Sequence, residues 1–338
     1  MLEVDGSEGG GQLLRTALSL SALTGEPVEM TGIRGARPNP GLRPQHLAAV
    51  TLLAEVCDAE VSDVGVGTEA LTFEPGPVAP GSVEVDVGTA GSVALLFDAV
   101  LPLATAIDAP LVVTATGGTA VKWSPTLAYY RLVKLPLLRQ HGLQAAVEVD
   151  RPGFYPTGGG VARLYLGPSR LDGFDVRDRG DVVGARVHSL EAENLADRDV
   201  AARQAEAVLE PLEDAGLPVL ERREHTAVAD SPGSAVAVRL DYERTLAGFD
   251  ALGERGRPAE DVGAAAAEAA LAFDEGDAAV DRHAADQLLA FLALTGGELR
   301  IPAVTDHVAT NRDLLATFGY PVDVVEDGGG VVLRAPGE

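Results

Sequence analysis

Apolar positions along the chain recur three times in one order. From Leu13 to Leu23 they keep a helical period, break at Thr24-Gly25-Glu26, and resume as an alternating stretch over 27–30. The same succession follows Gly88-Thr-Ala-Gly-Ser92: a helical period over 93–106, a turn at Ile107-Asp108-Ala109, and a strand over 111–114. It recurs over 288–294, turns at Thr295-Gly296-Gly297, and enters a strand over 298–301. A period near 3.6 lines one face of a helix and alternation lines one face of a strand, so each segment predicts helix, tight turn and strand.

After each strand come a polar loop, a second helix and two β-rich stretches. The helices are expected over 44–57, 124–141 and 311–318, and the strand pairs over 60–65 with 70–74, 144–149 with 161–166, and 322–326 with 331–334. The expected fold class is therefore α/β (α+β), built from three repeated βαβαββ units near residues 1–77, 82–167 and 258–335. The second and third copies are too far apart by one small domain. Residues 178–257 carry their own pattern: a strand over 182–190, a helix over 198–215, and strands over 219–227 and 235–242. The expectation is a large domain of residues 1–177 and 258–338 with a small α+β domain inserted over 178–257, before the third unit.

A length of 338 residues suits that organisation. No apolar run approaches the roughly 20 residues that span a bilayer, and no charged-then-apolar leader opens the chain, so a soluble cytoplasmic protein without a membrane partner is expected. The single cysteine, Cys57, falls on the apolar face of a predicted helix and reads as a small buried hydrophobe; a Cys/His metal cage is excluded by the count.

Charge complicates the picture. With 26 Lys+Arg against 51 Asp+Glu the chain carries −25, a surface that repels nucleic acid. At about 1 M salt the Debye length is only about 3 Å, so long-range repulsion vanishes while contact pairs in a cleft persist. Acid-rich, lysine-poor composition at 46% apolar content reads as adaptation of a folded protein to a salty cytoplasm. Function must then be sought in local clusters of arginine.

One such cluster is the Gly/Pro-rich loop holding Arg34, Arg37 and Arg43 without a single acid. Guanidinium forks match phosphate oxygens and keep their charge, although pairing with surface acids is the plainer alternative. At the N-terminus, Glu8-Gly-Gly-Gly-Gln12 runs into a helix carrying Arg15, a setting in which backbone N–H groups can approach an anion. If that helix starts early, Glu8, Gln12 and Arg15 share a face with a carboxylate for Mg²⁺ at its mouth. No P-loop lysine follows. In the third unit, Thr305-Asp306-His307 follows the same strand as the Arg34–Arg37 and Gly117-Gly118-Thr119 loops do in theirs, which makes His307 a candidate nucleophile in a phosphate cleft. The sequence leaves open whether the three loops face one cleft.

Taken together, these residues resemble the RNA 3′-terminal phosphate cyclase family from end to end. The matching pieces are Glu8-Gly-Gly-Gly-Gln12-x-x-Arg15, Arg34-x-x-Arg37-x-x-Pro40-Gly41 with Gln45-His46, Gly88-x-Ala90-Gly91-Ser92, Gly153-Phe-Tyr155-Pro-x-Gly-Gly-Gly160, Ala285-Asp286-Gln287-Leu288 and His307-x-x-Thr310-Asn311. The resemblance implies ATP-dependent conversion of an RNA 3′-phosphate to a 2′,3′-cyclic phosphodiester. His307 would take AMP from ATP as a histidyl-AMP intermediate, pass it to the RNA end as RNA(3′)pp(5′)A, and the 2′-hydroxyl would then expel it. It further implies Mg²⁺ or Mn²⁺ at Glu8, phosphate and nucleotide contacts from Gln12, Arg15, Arg37 and Gln45, and Arg34 in the RNA-end or phosphate pocket. His283, Asp286 and Gln287 would line the nucleotide site, Pro125 would flank the adenine, and Phe249 is either an adenine stack or core.

Three features depart from the family pattern. The opening glycine loop is short, Asp98 stands where a glutamine is expected and could repel a triphosphate or recruit a metal, and His283 occupies a Tyr-or-His position. His46 reads equally as structural or as a phosphate neighbour; His141, His188 and His225 read as structural or surface residues. The main alternative is a catalytically inactive cyclase-like RNA-binding or ribosome-biogenesis factor, against which the presence of His307, Arg15 and Arg37 argues. An enolpyruvyl transferase would need six such units in two lobes. Whether the chain forms a homodimer is left open.

Overall fold

The computed structural model describes residues 1–328 and 330–337. Among them the chain is a mixed α/β structure with four four-stranded sheets. The first sheet contains β1 (Leu2–Asp5), β2 (Val28–Thr31), β3 (Glu60–Val61) and β4 (Leu71–Glu74), connected through helices α1 (Gly11–Thr24) and α2 (Pro44–Val56). Its order is β1-β2-β4-β3, with β1 parallel to β2 and β4 antiparallel to both neighbours. Helix α1 ends where Gly25, at φ 71°, turns left-handed and its N–H caps the Ser21 carbonyl, the αL stop that glycine permits.

The second sheet repeats this order as β5-β6-β8-β7, from β5 (Gly81–Asp86), β6 (Leu111–Gly117), β7 (Ala145–Arg151) and β8 (Gly160–Leu166). Between β5 and β6 lies α3 (Val93–Val100), which ends at a 3₁₀ turn where a helix to residue 106 was expected. Between β6 and β7 one helical stretch comprises α4 (Leu127–Tyr129), a π segment Tyr130–Lys134, and α5 (Leu135–Gln140). The local cause is Pro136, which has no N–H to give the Leu132 carbonyl one turn back. That carbonyl is met from another strand, by Arg239 Nη1 at 3.1 Å.

Next come β9 (Phe174–Val176) and a module of β10 (Val182–Ala192), α6 (Val200–Asp214), β11 (Val219–Ala227), β12 (Ser234–Tyr242), β13 (Leu246–Leu252) and α7 (Ala259–Asp274). Its sheet order is β11-β10-β12-β13. The expected strands and helix of 178–257 are all there, with β13 in addition. The expected boundary at 257 falls just before α7, yet Val262, Ala266, Ala267 and Ala270 of α7 share a buried core with Val187, Val236 and Val238 of this module. Small alanines on one face let the helix lie close on the sheet.

The last sheet, β15-β16-β14-β9, is made of β14 (Gly297–Ile301), β15 (Asp323–Asp327) and β16 (Gly330–Ala335) with α8 (Arg282–Gln287), α9 (Leu289–Thr295) and α10 (Asp306–Thr317). One of its edge strands is β9, parallel to β14 with Phe174 opposite Gly297, so this sheet pairs strands that lie before and after residues 182–274. Nothing in a three-residue strand signals this from sequence. Helix α10 also begins five residues before the expected 311, capped by the Thr305 hydroxyl, which accepts from Val308 N–H. His307 consequently stands in a helix's first turn and not in a loop. One large core joins the three body sheets and their helices. No helix is long and apolar enough to cross a membrane among the described residues.

Candidate active site

A cleft of about 1330 Å³ opens where the N-terminus of α1, the Arg34 loop, the segment 121–125, the end of β13, α8 and the start of α10 meet. Of the expected site residues, His307, Gln12, Arg15, Arg34, Arg37, Gln45, Asp98, Pro125, His283, Asp286 and Gln287 all line it. Of the three loops predicted to be equivalent, the first and third face this cleft, and in the second the lining begins at Val121, beyond Gly117-Gly118-Thr119.

The glycines before α1 allow the charged groups to converge. A Cβ on Gly10 would lie 3.3 Å from Arg37 Nη2 and 3.9 Å from His307 Cε1; one on Gly11 would lie 3.3 Å from Arg15 Nη1 and would clash with His46 Nε2. Arg37, His307, Arg15 and His46 thus crowd two consecutive backbone positions at the mouth of a helix. Arg15 is 8% exposed. Burial pulls its pKa down, opposed by Asp98 and Asp286. Among the described residues, hydrogen bonds and ion pairs account for many of the arginines, yet none involves the guanidinium of Arg15 or of Arg37. In a chain with 51 acids, two unpaired guanidinium groups in one cleft are open to an anionic ligand.

His46 is fixed as a neutral ring. Its Nδ1 accepts the Arg43 N–H at 3.1 Å, and burial, reinforced by Arg15, Arg34 and Arg43, pushes its pKa down to about 3. With the folded pKa below the unfolded one, the stabilisation is complete above the unfolded value and is lost as pH falls toward the folded value. Acidification from about pH 7 to about pH 5 is expected to cost the wild type about 2 kcal/mol more than it costs His46→Gln. Denaturant titrations of both proteins at the two pH values check this; parallel losses would refute it.

Asp286 and Asp98 are held in different ways. Gln12 Nε2 donates to Asp286 Oδ1 at 2.5 Å, joining α1 to α8. Burial raises the Asp286 carboxyl pKa, opposed by that bond and by His307, Lys134 and Arg15. Asp98 accepts from Lys134 Nζ at 2.5 Å, with the lysine 3% exposed. The carboxylate feared to repel a triphosphate is thus neutralised by a cation that sequence reading missed. Lys134 sits at the end of the π segment, and the chain's only lysines, Lys122 and Lys134, both line the cleft.

The remaining expected residues divide. Arg34, at φ 58°, donates through Nη1 to the Asn39 and Gly41 carbonyls at 2.8 Å each, so it braces its own loop while lining the cleft. Gln45 Oε1 accepts the Ser92 N–H at 2.8 Å and ties the glycine loop before α3 to α2. His283 lies edge-on to Tyr129, its backbone N–H bound to buried Asp281, which also accepts from Tyr129 and Gly248. Pro125 is buried in the lining. Gln287 Oε1 and Asn311 Oδ1 are buried acceptors with no partner.

Glu8 and Phe249 stand outside the cleft lining. Because α1 starts at Gly11, Glu8 lies outside it, exposed and absent from the cleft lining, and does not share a helical face with Gln12 and Arg15. No group of three or more His, Cys, Asp or Glu side chains is gathered to hold a metal among the described residues. Phe249 is half-buried and packs against Phe273 at 5.5 Å between centroids, beside the core that β10, β12 and α7 share, which favours the core reading.

The fold and site define a mixed α/β protein in which one cleft gathers arginines that are unpaired among the described residues around a histidine at a helix N-terminus. Residues 6–321 match the family described as RNA 3′-terminal phosphate cyclase. Proteins named RNA 3′-terminal phosphate cyclase are similar throughout: that of Halobacterium salinarum is 48% identical over 98% of this chain and 99% of its own length. Those of Methanopyrus kandleri (42% identical, 96% and 94%) and Pyrococcus furiosus (38% identical, 98% and 96%) follow. The chain belongs to the RNA 3′-terminal phosphate cyclase family. Among solved structures, EPSP synthase from Acinetobacter baumannii aligns at 13% identity with a TM-score of 0.32 over 99% of this chain and 64% of that one, too low to carry any argument.

Proposed function

We propose that this protein converts RNA 3′-terminal phosphates to 2′,3′-cyclic phosphodiesters in an ATP-dependent reaction with His307 as the nucleophile. The observation that carries the reading is the pair of unpaired guanidinium groups, Arg15 and Arg37, converging with His307 on Gly10 and Gly11. In the first step an imidazole nitrogen forms a bond to the α-phosphorus of ATP while the bond to pyrophosphate breaks. Arginine forks and the free N–H groups of the α1 and α10 termini hold the departing anion. An RNA 3′-phosphate oxygen then displaces the imidazole and takes AMP. Finally the 2′-hydroxyl attacks that phosphate, closes the ring and releases AMP.

ATP fits the residues present. Gln287 Oε1 and Asn311 Oδ1 are acceptors in need of donors that ribose hydroxyls or an amino group would supply. Mg²⁺ or Mn²⁺ would neutralise phosphate charge when bound with the nucleotide; among the described residues no group of three or more His, Cys, Asp or Glu side chains is gathered. The reading takes the three body sheets as copies of one βαβαββ unit, with the inserted module extended to include α7. It also places the protein in the cytoplasm.

The test is incubation with α-labelled ATP, divalent metal and RNA bearing a 3′-phosphate at high salt. An acid-labile, alkali-stable label on the protein and a phosphatase-resistant RNA end are expected. Well-folded protein that binds RNA but takes no label would favour the inactive RNA-binding alternative.

A further inference from the structure

Trp123, the only tryptophan, is 96% exposed. Its φ is 63°, a left-handed conformation that bulky residues rarely adopt and that surrounding structure must impose. The constraints are visible on both sides. Lys122 is tied to Glu254 beyond β13 by an ion pair of 2.8 Å, and the Ser124 hydroxyl donates to the Val121 carbonyl at 3.2 Å, closing the turn around the indole. The indole is therefore held outward at the rim of the cleft, where Lys122, Trp123 and Pro125 all contribute lining.

The neighbouring loop presents a second aromatic ring. Thr119 and Ala120 donate their N–H groups to the Gly153 carbonyl at 2.9 and 3.1 Å, and Ala120 is bridged to Phe154, which is buried. Tyr155, next along, is 76% exposed. Among the described residues, Trp123 and Tyr155 are the only Phe, Tyr or Trp side chains that are exposed, and they lie on two loops joined to each other.

Physical chemistry favours one occupant. A mononucleotide seated at His307 can be enclosed by the cleft, but a polymer must leave through its mouth, and its bases then cross the rim. With a net charge of −25, long-range electrostatics do not draw a strand to this surface, and in high salt such attraction is weak in any case. Base–aromatic stacking survives salt and tolerates any sequence, because every base has a π-face. We propose that Trp123, with Tyr155 on the loop joined to its own, stacks the nucleobases at the 3′ end of a single-stranded RNA entering the cleft. This rests on the reading of the cleft as an RNA-end site.

A sole tryptophan makes intrinsic fluorescence a direct readout. Wild type would be titrated with a short single-stranded RNA ending in a 3′-phosphate, with the same RNA made abasic at its 3′ end, and with ATP alone, while anisotropy of a 5′ dye measures RNA binding separately. The intact RNA should quench the indole; the abasic RNA should bind about 10-fold more weakly without quenching, and ATP should leave emission unchanged. Trp123→Ala should raise the Kd for RNA by about 10-fold, with Trp123→Phe restoring most of the affinity. Quenching by ATP would assign the indole to adenine and overturn the proposal. RNA binding without quenching, or unaltered in Trp123→Ala, would overturn it too, as would absence of RNA binding. Labelling of wild type by ATP is scored independently, so RNA stacking without label would fault the cyclase reading and leave the stacking intact.

Discussion

Replacing His307 by alanine is expected to abolish protein labelling by α-labelled ATP and to reduce cyclisation by roughly 10⁴-fold or more, since the variant removes the atom that forms the bond. Among the described residues, Cys57, Lys134, Lys122 and His46 are each buried or engaged elsewhere. Cys57 is buried, its thiol pushed up to about 11 by burial, and it lies outside the cleft lining. Lys134 is committed to Asp98 and Lys122 to Glu254. His46 has one ring nitrogen engaged by the Arg43 N–H and the other beside Arg15. His307 itself is exposed, so its loss should change folding stability by no more than about 0.5 kcal/mol. Equal thermal melts with loss of label support the assignment. Retained label, or label mapped to His283, removes His307 from the chemistry.

How far this site could be read from sequence depends on the range of the interaction concerned. Arg15 and Gln12 were legible because a glycine run entering an apolar helical period is a local signal, and the helix did form there. Arg37 and His307 were legible as chemistry but not as neighbours: their meeting at Gly10 depends on packing between elements far apart in the chain, which periodicity does not encode. The Glu8 expectation failed on a cap. Sequence allowed the helix to start early, whereas Gly11 opens it and leaves the carboxylate in the preceding loop. For α7 the amphipathic pattern was present, but a pattern names a buried face without naming what buries it, and its alanines face the inserted sheet. Strand β9 is three residues long, too short to carry a period, and its pairing with β14 is wholly tertiary. Lys134 was invisible because a lysine in an apolar helical stretch reads as a stray surface charge. Only the π segment, forced where Pro136 withholds an N–H, and the partner Asp98 explain its burial.

That pair carries the second large effect. Lys134→Met is expected to destabilise the protein by about 3–5 kcal/mol, because it leaves Asp98 as an uncompensated carboxylate that is largely removed from water. The consequence should reach the ligand. Asp98 and Asp286 already attract Arg15, and Lys134 bears on both carboxylates. Without the ammonium, the Arg15 guanidinium is left to answer Asp98, so the group that should meet phosphate is drawn toward a carboxylate. ATP affinity should fall about 10-fold or more, a loss typical of a charge-assisted bond of about 1.5 kcal/mol. The double variant Lys134→Met/Asp98→Leu removes both charges from the site and should recover most of the stability, as apolar replacement of a buried ion pair commonly does. Denaturant titration of the wild type, the two single variants and the double variant closes the cycle and yields the coupling directly. If Lys134→Met alone is neutral, or the double variant is no more stable than it, Asp98 is solvated in the native state and its expected repulsion of a triphosphate returns.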